Sequence, residues 1–320
     1  MIRRLSVAAV AVVLTGTVAS GCSTFTNNRE AAKAGGASLS VDEFEMILAD
    51  YAESRSAGAD STSTSVGDTT TTEDPTVPGS EARSLLTEWV TSHLLIAALN
   101  KAGAPIDDAA RTAATTSLQT SVGAGWDKLD EVTKQFLIED QAATDALAES
   151  PLITDTAVQQ AYEAGLVSSN TLCLRLIAFT DQAKANSVYE QLRQGGDFAT
   201  LADENSADPT TGAGGVFTNS NTGSECSAAD QLNETVAQAL VLLPLGKASE
   251  PLPFSNSDGS TQYVIFMQRP WEEVVAAANP IVREALAPTT AKALIAAGTA
   301  HIDSRYGTWD STTLSVVPTR

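Results

Sequence analysis

Gly195-Gly-Asp-Phe-Ala-Thr-Leu-Ala202, followed by Asn205-Ser-Ala-Asp-Pro209 and Gly212-Ala-Gly-Gly215, is the stretch on which the reading of this chain turns. The adjacent glycines Gly195 and Gly196 end a preceding helix, because glycine loses more backbone freedom there than any other residue. Asp197 then offers a carboxylate to the free N–H groups of a new first turn. Phe198, Leu201 and Ala202 follow at helical spacing, so 197–205 reads as a short helix. From Asp208 to Ser227 the chain is mostly Gly, Asn, Ser and Thr, which predicts a loop.

Working outward, Thr171 to Phe179 reads as a strand, and Thr180 as the cap of a helix running through Gln194. On the other side Gln231 to Leu243 is helical. Ala248–Phe254 and Thr261–Gln268 read as strands around an Asp258-Gly259 turn. The order β-α-α-loop-α-β-β describes a small α+β domain with an antiparallel sheet, placed over 151–270.

The flanks have a helical period. Ser40-Val-Asp-Glu43 is a capping-box pattern, and Phe44, Ile47, Leu48 and Tyr51 make one apolar face after it. A second helix from about Glu81 to Lys101 carries Leu85, Leu86, Trp89, Val90, Leu94, Ile96 and Leu99, and Gly103 and Pro105 stop it. Further helices read over about 107–122, 126–149 and Thr154 to Leu166. Residues 54–80 are Ser, Thr, Asp and Gly with Pro75 and Pro78, and predict a disordered loop inside the helical region. A long helix from Trp271 to about Ala297 and a closing strand at Thr313–Val317 complete the chain. Residues 37–150 thus form one helical domain, to which 271–320 return.

The N-terminus reads as an export signal. Arg3 and Arg4 precede the apolar run Leu5 to Leu14, which is too short for a membrane-spanning helix. Val18-Ala-Ser-Gly-Cys22 resembles a lipobox, which implies cleavage after residue 21, acylation of Cys22 and a tether over 22–36. The alternative is an ordinary secretory signal with a chance cysteine. An acyl chain anchors without spanning, each buried methylene contributing about 0.8 kcal/mol. The net charge is −20, and loss of residues 1–21 removes two arginines and no acid, taking it to −22. Such a surface repels phosphates and anionic headgroups, so nucleic acid is not an expected partner.

Two cysteines then remain, Cys173 and Cys226. Outside the cytoplasm such a pair reads as a disulfide, worth roughly 4 kcal/mol in the chain-entropy model; two buried free thiols are the alternative. His93 and His301 are the only histidines and show no ligand spacing, so no metal or other cofactor is expected.

Residues 171–269 resemble the parvulin (PpiC, rotamase) domain through local matches in one order. Leu174-Arg-Leu-Ile-Ala stands where that family has Arg-His-Ile-Leu. Gly195 to Ala202 is similar to its Gly-x-Asp-Phe-x-x-Leu-Ala, Asn205 to Pro209 to its Tyr-Ser-x-Asp-Pro, and Gly212 to Gly215 to its glycine-rich turn. Leu245-Gly-Lys-Ala-Ser-Glu-Pro251 resembles Pro-Gly-x-x-Ser-x-Pro. By helix order and patterning alone, residues 37–150 with 271–317 resemble the chaperone part of SurA- and PrsA-type foldases.

The resemblance implies peptidyl-prolyl isomerisation. Rotation about an X-Pro bond meets a barrier near 20 kcal/mol from amide resonance, and uncatalysed exchange takes roughly tens of seconds. Gripping the proline ring and stabilising the twisted amide lowers that barrier with no nucleophile or metal. Carried over by position, Asp208 matches the family's polar residue facing the amide. The two histidines of the family's central pair are replaced by Leu176 and by Gln262, with Tyr263 next in register. Leucine neither donates nor accepts a hydrogen bond, so that pair cannot form. Leu232 and Val236 match the proline pocket, with Val216 near its remaining aliphatic position; as residues they also read simply as core.

These observations imply a membrane-anchored extracytoplasmic foldase with a degraded active site, whose partners are unfolded or exported polypeptides. The second reading is a catalytically inactive holdase of the same architecture.

Overall fold

The computed structural model describes residues 30–59, 77–208, 213–219, 222–229, 238, 240, 241, 243–255 and 259–319. The export signal with Cys22, the middle of the 54–80 loop, and most of the 231–243 helix, including Leu232 and Val236, lie outside these residues. The fold is α+β, as the alternation of periods implies.

The first helix, α1 (Val41–Ala59), begins where the capping box places it. Glu43 N–H donates to Ser40 Oγ at 3.1 Å, and Ser40 N–H donates to Glu43 Oε2 at 2.8 Å. Residues 54–59, expected in the loop, instead continue α1, and α2 (Gly79–Lys101) already starts after Pro78. Proline fits there because the first N–H of a helix has no intrahelical partner. The apolar stripe of α2 buries Leu86, Trp89, Val90, Leu94 and Leu99. Asp107 and Asp130 cap α3 (Asp108–Val122) and α4 (Glu131–Glu149), and a 3₁₀ turn between them buries Trp126. Helix α5 is Asp155–Glu163, shorter than expected, and a separate short α6 (Leu166–Ser169) follows it.

Residues 30–36, expected as the end of a tether, are the main correction at the N-terminus. Glu30–Ala34 is strand β1, which pairs antiparallel with β2 (Ala37–Ser40) and with β8 (Ala300–Ile302). Alanine favours strands weakly, but Ala31, Ala32 and Ala34 are buried, and small side chains let the backbone lie close to α2. At the turn, a Cβ on Gly35 would come 2.2 Å from His93 O. Strand β9 (Thr308–Asp310) pairs with β10 (Ser315–Val317), which fills most of the expected closing strand. Val316 N–H donates to Thr87 Oγ1 at 2.8 Å, fastening this hairpin to α2.

The expected strand over 171–179 divides into β3 (Thr171–Leu172) and β4 (Leu174–Phe179) at Cys173. The helix after it, α7 (Gln182–Arg193), is capped by Asp181 rather than Thr180: the Asp181 carboxylate accepts from Lys184 N–H at 2.7 Å. Asp197 caps α8 (Phe198–Asn205). Strands β6 (Leu252–Ser255) and β7 (Thr261–Gln268) complete an antiparallel sheet of order β4-β7-β6, and a two-residue β5 (Ser227–Ala228) pairs with β3.

The sheet's period of two separates its faces. Ile177, Phe179 and Ile265 meet α7 and α8 through Ala185, Val188, Phe198, Leu201 and Ala202. Leu174, Leu176, Ala178, Val264 and Phe266 face the other way. Helix α9 (Trp271–Ala296), which contains Pro280 and Pro288, follows β7. It packs Trp271, Val274, Ala278 and Val282 into one core with Leu99, Leu147, Val158 and Tyr162. Among the described residues no helix is long and apolar enough to cross a membrane.

Candidate functional site

Strand β4 has β7 on one side, and the loop after α8 returns along its other side. Ala207 N–H donates to Ala178 O at 2.8 Å, and further back Phe217 N–H donates to Leu174 O at 3.0 Å. Ala207 and Phe217 thus meet β4 in antiparallel order, at Ala178 and Leu174, with Gly215 against the Leu176 carbonyl between them.

Two glycines make this close approach work. A Cβ on Gly214 (φ +68°) would lie 2.8 Å from Ala199 Cβ, and one on Gly215 (φ +75°) only 2.6 Å from Leu176 O. Several motif residues have a local task of this kind. Asp203 Oδ1 accepts from Gly214 N–H at 2.6 Å, and Ser206 Oγ accepts from Ala178 N–H at 3.3 Å. Asp197 accepts from both the N–H and the hydroxyl of Thr200, and these hydrogen bonds hold its carboxyl below the usual range. In the Leu245–Pro251 motif, Gly246 N–H donates to Gln268 O and Ser249 N–H to Phe266 O, joining the motif to β7.

Around Leu176 the structure builds an apolar face. Leu176 lies opposite Phe266 on β7, and Phe217, Phe254, Leu252, Leu240 and Leu243 join the same cluster. The Phe254 and Phe266 rings meet edge to face at 5.9 Å. Val216 pairs with Arg175, not with Leu176. Paired residues on neighbouring strands share a face, so Val216 stands with Arg175, and it is Phe217 that joins Leu176. Gln262 lies opposite Phe254 and on the parity of Leu176, but four residues beyond Phe266, or about 13 Å along the strand. Tyr263 packs on the α7–α8 side. The Asp208 segment meets β4 at Ala178, opposite Val264, which is two residues from both Gln262 and Phe266, the partner of Leu176. Asp208 itself is half-buried, and its N–H lies 3.4 Å from Ser206 Oγ.

Phe217, Phe254 and Phe266 were not singled out in the sequence. The alternation of Leu252 with Phe254 and of Val264 with Phe266 is a legible two-residue period. Phe217 gives no such signal, because its orientation follows from the loop's pairing.

A covalent and ionic frame surrounds the site. Cys173 and Cys226 are bonded to each other, and both are buried. Arg175 donates to Gly214 O at 2.7 Å and to Glu273 Oε2 at 2.9 Å. Burial pushes the Glu273 carboxyl up, but hydrogen bonds and charge from Arg175 and then Arg269 outweigh this and hold it below the usual range.

An apolar face beside a carboxylate loop, framed by these motifs, is what a family comparison can test. Residues 178–246 match the model of the PPIC-type PPIase domain. The match begins at the last two residues of β4 and takes in α7, α8 and the Asp208 motif; Leu176 and most of the Leu245–Pro251 motif lie outside it. Among solved structures, foldase protein PrsA from Streptococcus pneumoniae is 15% identical, covering 82% of this chain and 90% of that one at a TM-score of 0.31. Peptidylprolyl isomerase (PrsA) from Bacillus anthracis is 16% identical over 66% of this chain and 94% of that one, TM-score 0.28. Foldase protein (PrsA) from Lactococcus lactis is 12% identical over 83% and 90%, TM-score 0.33. No curated protein matches the sequence. At such TM-scores the superpositions are loose, and the weight rests on the PPIC-type match.

Proposed function

We propose that this chain is an extracytoplasmic foldase, which holds unfolded segments of exported proteins and turns X-Pro bonds within its PPIC-like segment. The observation that carries the reading is the PPIC-type match over 178–246, set on an apolar face with the Asp208 loop at its border. In this reading the proline ring rests on Leu176 and Phe217, with Leu232 and Val236 as further contacts. Asp208 faces the amide. Gripping the ring favours the twisted bond, and the apolar surroundings favour a nitrogen less conjugated with its carbonyl.

The second reading, a holdase without turnover, is favoured by one specific residue. Leu176 stands where the resembled family has histidine, and it is buried in the apolar cluster. No polar pair can form at that point, so catalysis is expected to be weak.

The two-domain organisation, with 37–150 and 271–320 as the chaperone part, belongs to the same proposal. A cavity of about 860 Å³ lies between β1, α2, α9 and β8, with Ala34, Ala97, Ala98, Leu94 and Leu294 among its walls. We read it as the seat of a short stretch of unfolded chain: these alanines and leucines offer apolar contact, Lys33, Lys101 and His301 line it as well, and its size suits a few residues. The anchor at Cys22 and the extracytoplasmic location rest on the N-terminal sequence and agree with a bonded cysteine pair.

Aggregation of a chemically unfolded, proline-rich client tests the proposal. The chain from residue 23 is expected to suppress it, and Ala98→Trp, which fills the cavity, to weaken suppression several-fold. Equal aggregation with and without the chain would remove the chaperone reading. For the anchor, blocked lipoprotein processing is expected to leave a longer precursor; unchanged maturation would remove it.

A further inference from the structure

The passage from β7 into α9 contains a buried charge. Arg269 is only 6% exposed, and a guanidinium never gives up its proton, so its environment must supply compensating acceptors. Its guanidinium reaches Glu225 Oε2 at 2.7 Å, Glu273 Oε2 at 3.3 Å and Glu273 O at 3.2 Å. The backbone of the same residue is also occupied: its N–H donates to Cys173 O at 2.9 Å, and its carbonyl accepts from Tyr162 Oη at 2.8 Å.

Glu273 therefore has two arginine partners, Arg269 and Arg175, on one carboxylate oxygen. Each arginine ends on a different loop beside the candidate site. Arg175 holds Gly214 O, two residues before Val216 and three before Phe217. Arg269 holds Glu225, next to the bonded Cys226 and strand β5. Glu273 itself lies outside the PPIC-like segment, in the first turn of α9, whose Trp271 and Val274 are packed in the helical core. From the first turn of α9, its carboxylate reaches both arginines at once.

We propose that Glu273 is a positioning residue for the prolyl site, acting through Arg175 on the Gly214–Phe217 segment and through Arg269 on the Glu225–Ala228 segment. This rests on the foldase reading for its catalytic consequence. The geometry of the two loops does not depend on that reading. Removing the negative charge weakens the shared acceptor of both guanidinium groups, and each then holds its loop less firmly. The folded core has other supports: α9 keeps its apolar face, and Arg269 keeps Glu225.

The test uses the full chain with Glu273→Gln, which keeps size and removes charge, and with Arg175→Lys as an independent break of one arm. Amide hydrogen exchange is read in 214–217 and 225–228 against α5 and α9, together with KM and kcat on a short X-Pro peptide. Loss of a charge-assisted hydrogen bond is expected to speed exchange about tenfold in the two loops, leaving α5 and α9 within a factor of two. Arg175→Lys is expected to free 214–217 alone. KM is expected to rise several-fold with kcat nearly unchanged, and Glu273→Asp, which keeps the charge, to restore most of the protection. Unchanged loop exchange, or an equal rise throughout α9, would overturn the proposal, the latter assigning Glu273 a purely structural role. A wild-type chain without turnover would instead remove the catalytic reading, and the exchange measurement would still decide the positioning.

Discussion

Gly215 shows how one backbone atom pair sets the shape of the candidate site. Its φ is +75°, and a Cβ there would meet Leu176 O at 2.6 Å and Ala202 Cβ at 2.8 Å. Gly215→Ala combines left-handed strain with overpacking and is expected to destabilise the chain by about 3 kcal/mol. Gly223→Ala has a similar φ of +71° but open space around it, so about 1 kcal/mol is expected. Denaturant midpoints for the two variants check this, and equal losses would mean that the close approach to β4 is not what matters. The same residues show the limit of the sequence. The motif Gly212-Ala-Gly-Gly215 signalled a tight turn, but not that the turn lies on β4, which is what puts Phe217 rather than Val216 beside Leu176.

A second residue-scale expectation concerns pH. Burial pushes the carboxyls of Glu88 and Asp140 up, and Asp140 raises Glu88 further. A carboxyl raised in the folded state stabilises fully only below its unfolded value near 4. That contribution is lost as pH rises through the raised folded values. Asp140→Asn is therefore expected to stabilise the chain at pH 7 by on the order of 1 kcal/mol, with no gain at pH 3. Unfolding midpoints at the two pH values check the sign.

At the scale of elements, the disulfide joins the break between β3 and β4 to the entry of β5, across a separation of 53 residues. Replacing both cysteines by alanine is expected to cost about 4 kcal/mol, since the unfolded chain regains the freedom of that loop. Thermal unfolding of the non-reduced proteins measures it, and a loss under about 1 kcal/mol would mean that the surrounding packing holds β5 without the bond. The helices were the legible elements, because a buried stripe such as Leu86, Trp89, Val90 and Leu94 repeats with the helix itself. Strands β1, β2 and β8 were not. Alanine and serine carry little strand preference, and these short strands exist because β1 is held from both sides and lies flush on α2. The cap at Asp181 was misplaced by one residue for a related reason: Thr180 and Asp181 are both good caps, and the exit of β4 decides between them.

For the whole molecule, the chain's two ends meet in one sheet, with β1 between β2 and β8. The order of helices suggested such a return; the pairing that makes it was invisible, since Ala300–Ile302 has no strand pattern. Truncation after Ala297 would leave one edge of β1 unpaired and remove Val316 and Ile302 from the core they share with Phe44 and Leu86. It is expected to abolish cooperative unfolding of the helical part, seen as loss of a single thermal transition. Function is distributed in the same way. The site's motifs were legible because several of their residues have local tasks, whereas its faces and the Glu273 frame depend on contacts between distant segments.

The foldase account is tested most directly by the rate of cis–trans exchange of a short X-Pro peptide in the presence of the chain from residue 23, with Asp208→Ala alongside. The account expects acceleration over the uncatalysed exchange of roughly tens of seconds, weak in absolute terms and reduced at least tenfold by Asp208→Ala. Exchange left at the uncatalysed rate by a folded, disulfide-intact chain would contradict it.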